Sequence, residues 1–109
     1  MEHWNALPYK EKYMNEKLIE RKLTKMVRQS GGLAMKFTSP GFDGVPDRLV
    51  LLPDGKCGFV EVKAPGMKPR PLQRTRIKTL RRLGFKTFVL DSTADIPKII
   101  EEVMQNEAS

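Results

Sequence analysis

Two apolar runs separated by a short turn constrain this chain more than anything else in it. Asp47 to Leu52 and Cys57 to Lys63 flank Pro53-Asp54-Gly55-Lys56, and run, turn and run together predict a β-hairpin. Side chains alternate along a strand, so Phe59, Glu61 and Lys63 share one face while Val60 and Val62 share the other. Two residues span ~6.6 Å of strand, which lets Glu61 and Lys63 address one small site. Asp47 opens the first strand, and the hairpin brings it beside Glu61. Two carboxylates held close repel each other unless a cation lies between them. Oxygen donors favour a hard ion, Mg²⁺ or Mn²⁺. Gly44 and Pro46 shape the approach to Asp47, one by permitting a tight turn and the other by removing a backbone donor. A solvated strand-start Asp and a surface Glu–Lys pair are the plainer account of each residue alone; the joint spacing favours a site.

Around the hairpin the elements follow by periodicity. Apolar positions Leu18, Ile19, Leu23, Met26 and Val27 predict a helix over 15–29 that ends at Gly31-Gly32. Residues 33–38 read as extended and 39–44 as a loop. After the hairpin, 64–71 carries three prolines and a glycine and reads as a loop. A second helix is expected over 72–83, a strand over 85–90 and a last helix over 94–106. The order α-β-β-β-α-β-α predicts a mixed α/β fold, a central mixed sheet flanked by helices. Residues 1–13, with Trp4, Pro8 and Tyr9, read as an N-terminal arm before one domain over 14–109.

Helical projection sorts the remaining polar residues. On the first helix, Glu16 lies about 70° from the centre of the apolar face and Glu20 about 110° from it. Glu16 is therefore the acid tilted toward the core and Glu20 the one expected in solvent. On the second helix, Leu72, Ile77, Leu80 and Leu83 predict the buried face, with Gln73 within about 40° of its centre. A buried amide must find hydrogen bonds, so Gln73 is a candidate partner for a catalytic water or a carboxylate. Arg76 also leans inward and is a candidate phosphate contact. Lys68 and Arg70, on the proline-stiffened loop beside the site, are stronger ones.

Net charge is +7 with a pI near 9.8, which in a domain of 109 residues points to a polyanion, most simply nucleic acid. No run of eighteen apolar residues predicts a membrane span, and the N-terminus lacks a signal-peptide pattern. A lone cysteine, Cys57, cannot form an internal disulfide, so an intracellular, cytoplasmic setting is expected.

Gly-Val-Pro-Asp-Arg-Leu, then Phe-Val-Glu-Val-Lys-Ala-Pro-Gly, then Pro-Leu-Gln-Arg resembles the VRR-NUC domain of the PD-(D/E)xK nuclease superfamily. The resemblance runs from about Glu16 to Asp91 and includes Gly31-Gly32, Lys36-Phe37-Thr38-Ser39-Pro40-Gly41 and Leu83-Gly84-Phe85. It implies a restriction-endonuclease-like core in which Asp47 and Glu61 bind the divalent metal with the backbone carbonyl of Val62. Glu16 would match the first-helix acid, reaching the metal directly or through a water, and Gln73 the glutamine opening the following helix. Lys63 would orient the attacking water and stabilise charge on the phosphate, leaving a 5′-phosphate and a 3′-hydroxyl. Lys36 joins Lys68, Arg70 and Arg76 as a candidate DNA contact. The chain looks like the short, stand-alone phage or bacterial members, which resemble junction-resolving homodimers. A structure-selective endonuclease on branched DNA, four-way junctions foremost, is therefore expected, with the arm and first helix as dimer elements. A nicking or flap nuclease, and a catalytically silent DNA-binding module, are the alternatives.

Overall fold

The hairpin forms as β2 (Arg48–Leu52) and β3 (Lys56–Val62), antiparallel with Leu49 opposite Phe59 and Arg48 opposite Val60. Its turn works because Asp54 and Gly55 both take positive φ, 66° and 72°. Asp-Gly adopts that pair of left-handed conformations more readily than most dipeptides. The computed structural model describes the backbone of residues 3–105 and the side chains of residues 15–105.

Before the hairpin come helix α1 (His3–Gln29) and strand β1 (Leu33–Lys36), which pairs antiparallel with β2. Helix α1 starts well before the residue 15 that apolar spacing predicted; the side chains of Trp4 and Tyr9, read as part of an arm, lie outside the described residues. It stops where expected. Gly31, at φ 88°, donates its N–H to the Arg28 carbonyl, and Gly32 donates to the Val27 carbonyl, the paired bonds that close a helix on a left-handed glycine.

After the hairpin, α2 (Pro71–Arg82) crosses over to β4 (Thr87–Leu90), which runs parallel to β3. Parallel neighbours need such a crossover. The sheet order is β1-β2-β3-β4, and α3 (Ile96–Met104) follows a short 3-10 turn at Thr93–Asp95. The element order and the mixed sheet are those the sequence predicted. Boundaries differ by a residue or two: α2 begins on Pro71, a residue suited to a first helical turn. Strand β4 begins only at Thr87, because Phe85 still donates its N–H to the Leu80 carbonyl at the helix end.

One face of the sheet is sealed. Ile19, Leu23 and Val27 of α1 and Ile96, Ile99, Ile100 and Val103 of α3 pack with Val50, Val60, Val62 and Leu90 into a single core. The other face carries α2, and here the projection needs correcting. Only Gln73 and Ile77 of α2 are buried; Leu72 and Leu83 are 46% and 58% exposed. The amide of Gln73 is bonded to a buried acid (below), and that anchor sets the rotation of the helix ahead of its leucines. Leu33 and Met35 are left exposed on this side. Near them are Phe37, Phe59 and Phe85, whose rings meet edge to face at 5.4 and 6.0 Å.

Candidate active site

Asp47 sits one residue before β2, behind the fully buried Pro46. Its carbonyl accepts from the Phe37 N–H at 2.9 Å, and its Oδ1 accepts from the Val62 N–H at 3.2 Å. The second bond ties the Asp47 side chain to the end of β3. Carried two residues further, the Arg48–Val60 register sets Pro46 opposite Val62, and proline has no N–H to offer the Val62 carbonyl.

Glu61 is 3% exposed. Its Oε2 accepts from Gln73 Nε2 at 2.9 Å and pairs with Lys63 Nζ at 3.2 Å. Gln73 Oε1 accepts from the Arg70 N–H at 2.8 Å, which fixes the amide so that its NH₂ faces Glu61. The Glu61–Lys63 face predicted from strand alternation is thus present, closed by Gln73 as helical projection expected. Glu61 Oε1 is buried with no hydrogen-bond partner among the described residues. An orphaned buried carboxylate oxygen is costly unless something outside the chain meets it.

On the other flank, carboxylate oxygens of Glu16, Glu20 and Asp47 lie within 4.8 Å of one another. Asp47 therefore stands between two groups, Glu61 with Gln73 and Lys63 on the α2 side, and two acids of α1. Burial first, and then the Glu61 charge, push the Asp47 carboxyl up to about 7, with smaller contributions from Glu20 and Glu16; the Val62 amide opposes them. Burial also raises Glu61, against the pull of Lys63.

Glu20 is a correction. Projection sent it to solvent, yet its side chain is 15% exposed and lies 3.9 Å from Arg48 Nη2 and 3.8 Å from Lys17 Nζ. The angle to the apolar centre says nothing of what stands beside a helix, and here the end of β2 brings Arg48 and Asp47 to that flank. Arg48 is a further site residue that the sequence did not single out. It donates Nη1–H to the Ala34 carbonyl at 3.1 Å; its place next to Asp47 on the sealed sheet face was the only signal available.

The donor set fits a hard divalent cation. All the side-chain donors are oxygens, one of them is buried without a partner among the described residues, and burial together with the Glu61 charge pushes the Asp47 carboxyl up to about 7. Of the basic candidates, Lys36, Lys68 and Arg70 are exposed. Arg76 is engaged elsewhere. Its Nε donates to the Asp43 carbonyl at 2.6 Å and its guanidinium lies 3.8 Å over the Phe42 ring, so it clamps the loop leading to Asp47.

The chain is also similar to known proteins. The sequence model of the VRR-NUC domain matches residues 1–94. A protein of Acyrthosiphon pisum secondary endosymbiont phage 1, named "Putative nuclease p44", is 51% identical over 90 residues, 83% of this chain and 96% of that one. A solved structure of a VRR_NUC domain shares 34% identity at a TM-score of 0.74, covering 80% of this chain and 95% of that one. The fold is thus that of a VRR_NUC domain, in keeping with a restriction-endonuclease-like core.

Proposed function

The chain belongs to the VRR-NUC domain family, a nuclease family, and from that premise we propose a Mg²⁺- or Mn²⁺-dependent endonuclease that cuts branched DNA, four-way junctions foremost, as a homodimer. The observation that carries the metal-dependent reading is the buried, unpartnered Oε1 of Glu61 beside an Asp47 whose carboxyl is pushed up to about 7. In this reading Asp47, Glu61 and the Val62 carbonyl hold the cation, with Glu16 reaching it directly or through water and Glu20 beside it. A divalent cation there would lower the pKa of water and offset charge on the phosphate.

The chain's own residues supply the rest. Lys63 Nζ, held 3.2 Å from Glu61 Oε2, is placed to orient the attacking water and to donate to a phosphate oxygen as charge develops. Gln73 fixes the Glu61 carboxylate so that Oε2 is occupied while Oε1 is left buried without a partner among the described residues. In-line attack then leaves a 5′-phosphate and a 3′-hydroxyl. Lys36, Lys68 and Arg70 serve as phosphate contacts outside the reacting centre, and Arg76 acts through the loop it clamps. The setting is the interior of a bacterial or phage-infected cell.

The homodimer reading draws on the exposed apolar side of the sheet, Leu33, Met35 and Phe85, rather than on the arm and α1. Among the described residues no helix is long and apolar enough to cross a membrane. A second copy of the chain, bringing the same apolar strip, suits that patch.

A Mg²⁺-dependent cleavage panel on linear, flapped, forked and four-way DNA tests the proposal. Paired symmetrical nicks on the four-way junction are expected, with little cutting of linear duplex. Cutting confined to flaps would establish the nicking or flap reading instead. Asp47→Asn and Lys63→Ala should each keep DNA binding and lose cleavage by more than about 100-fold; unchanged cleavage by either would remove the site assignment. Unchanged binding with no cleavage by the parent chain under any divalent ion would leave a silent DNA-binding module.

A further inference from the structure

A cavity runs along the outer flank of α1 and adjoins the carboxylate cluster at Glu20. It is a groove of about 790 Å³ walled by α1 on one side and by Lys36 and Arg48 at the paired ends of β1 and β2 on the other. Lys17, Arg21, Lys25 and Arg28 follow one another along the helix wall at spacings of four, four and three residues. Such spacing keeps them in one row, about 16 Å long at 1.5 Å per residue. Glu20 is the one acid among the described residues lining the groove, and it belongs to the cluster with Asp47. A basic track therefore runs directly into an acidic centre.

Two further observations favour an anionic occupant. Arg48 lines the groove and adds a guanidinium to its wall, held there by the Ala34 carbonyl and by Glu20. Lys36 stands opposite Arg48 in the β1–β2 register, so charge faces the helix row from the far wall. Leu18, 53% exposed, and the aliphatic stems of the basic residues form apolar flooring, which suits sugars as well as phosphates.

We propose that this groove carries the backbone of the DNA strand being cut, on one side of the scissile phosphate, with Arg21, Lys25 and Arg28 as its phosphate contacts. The row matches about four to five successive phosphates at 3.4 Å of axial rise each. None of these three residues was among the DNA contacts expected from the sequence, because on a helix viewed alone they make an ordinary solvated face. The groove assignment rests on the nuclease reading above and adds to it the path of the substrate.

The test compares two charge-reversed variants with the parent chain. Arg21→Glu/Lys25→Glu/Arg28→Glu alters the groove; Lys78→Glu/Arg82→Glu/Lys98→Glu alters exposed residues on α2 and α3 and leaves the same net charge. Binding of a labelled four-way junction in Ca²⁺ is measured across a salt series, and cleavage in Mg²⁺. The groove variant should bind at least about tenfold more weakly than the control variant. Its log K against log[salt] slope should be shallower than the parent's by about three, the loss of three phosphate contacts. Cleavage should show a raised KM and a kcat within about threefold of the parent. Should the groove variant fail to fold, Arg21→Ala/Lys25→Ala/Arg28→Ala keeps helix propensity high and is read against Lys78→Ala/Arg82→Ala/Lys98→Ala, which has the same net charge. Groove and control variants with equal affinity and equal salt slopes would overturn the proposal, as would a groove that takes an acidic protein and leaves DNA binding intact. A parent chain that neither binds nor cuts DNA would overturn the nuclease reading itself, an outcome visible before any variant is made.

Discussion

Asp47 stores a conflict that either a proton or a cation resolves. With the folded carboxyl at about 7 against an ordinary 3.8, the folded state binds this proton more tightly than the unfolded chain does. Stability from this group is therefore complete below pH ~4, falls as pH rises, and stops falling once pH passes about 7. A shift of about three units corresponds to about 4 kcal/mol at most, and relaxation around a part-buried group reduces that to about 1–3 kcal/mol. Denaturant melts in EDTA at pH 5 and pH 8 should show that slope, and Asp47→Asn should abolish it while stabilising the metal-free protein at pH 8. Mg²⁺ should raise the melting temperature of the parent at pH 8 and leave the variant nearly unmoved. Gln73 supports the neighbouring acid and predicts a different signature. Gln73→Leu fills the space yet strips one partner each from Glu61 Oε2 and the Arg70 N–H, costing about 1–3 kcal/mol in denaturation and about 10- to 100-fold in cleavage. These residues were legible in the sequence because each depends on local geometry, two residues along a strand or a few tens of degrees around a helix. Glu20 and Arg48 were not, because their meeting depends on the angle at which α1 crosses the end of β2.

At the scale of elements, the chain uses glycine where backbone must approach backbone. A Cβ on Gly32 would sit 2.1 Å from the Leu51 carbonyl oxygen, in the seam where β1 joins β2. Backbone cannot step aside there without breaking the pairing, so Gly32→Ala should cost about 3 kcal/mol in urea melts and loosen β1 first in hydrogen exchange. Gly41→Ala is the control: its φ is +81° but its Cβ would meet nothing within 4 Å, and a cost of about 1 kcal/mol is expected. Equal losses from both would show that the seam at Leu51 does not govern. Element order was readable from periodicity and from these glycines, whereas the rotation of α2 was not. The projection puts Gln73 on the buried face but centres that face nearer Leu72 and Leu83, and the satisfied buried amide turns the helix past them, because leaving Glu61 without it costs more than leaving a leucine half in water.

At the scale of the whole molecule, the described residues carry one carboxylate centre per chain, while resolving a four-way junction takes two cuts related by symmetry. A two-fold dimer supplies both from one surface. The surface with the right character is the side of the sheet that α2 leaves uncovered. Leu33 pairs with Leu51 and Met35 with Leu49 along β1 and β2, and directly opposed residues share a face. Leu33 and Met35 are 52% and 43% exposed on the edge strand, next to the cluster of Phe37, Phe59 and Phe85. A stable interface needs about 800 Å² from each partner, and an apolar edge strand left in water invites pairing with another chain. Leu33→Glu/Met35→Glu puts two like charges into each half of such an interface, and so four across the two-fold. Light scattering should read the parent at twice 12.5 kDa and the variant at 12.5 kDa. Because neither residue lines the α1 groove or bonds Asp47 or Glu61, the variant should still nick a flapped substrate in Mg²⁺. On a four-way junction it should make single, uncoupled nicks in place of paired ones. Paired nicks from a protein that scatters as a monomer would remove the dimer from the mechanism, and a variant that stays dimeric would move the interface to another face.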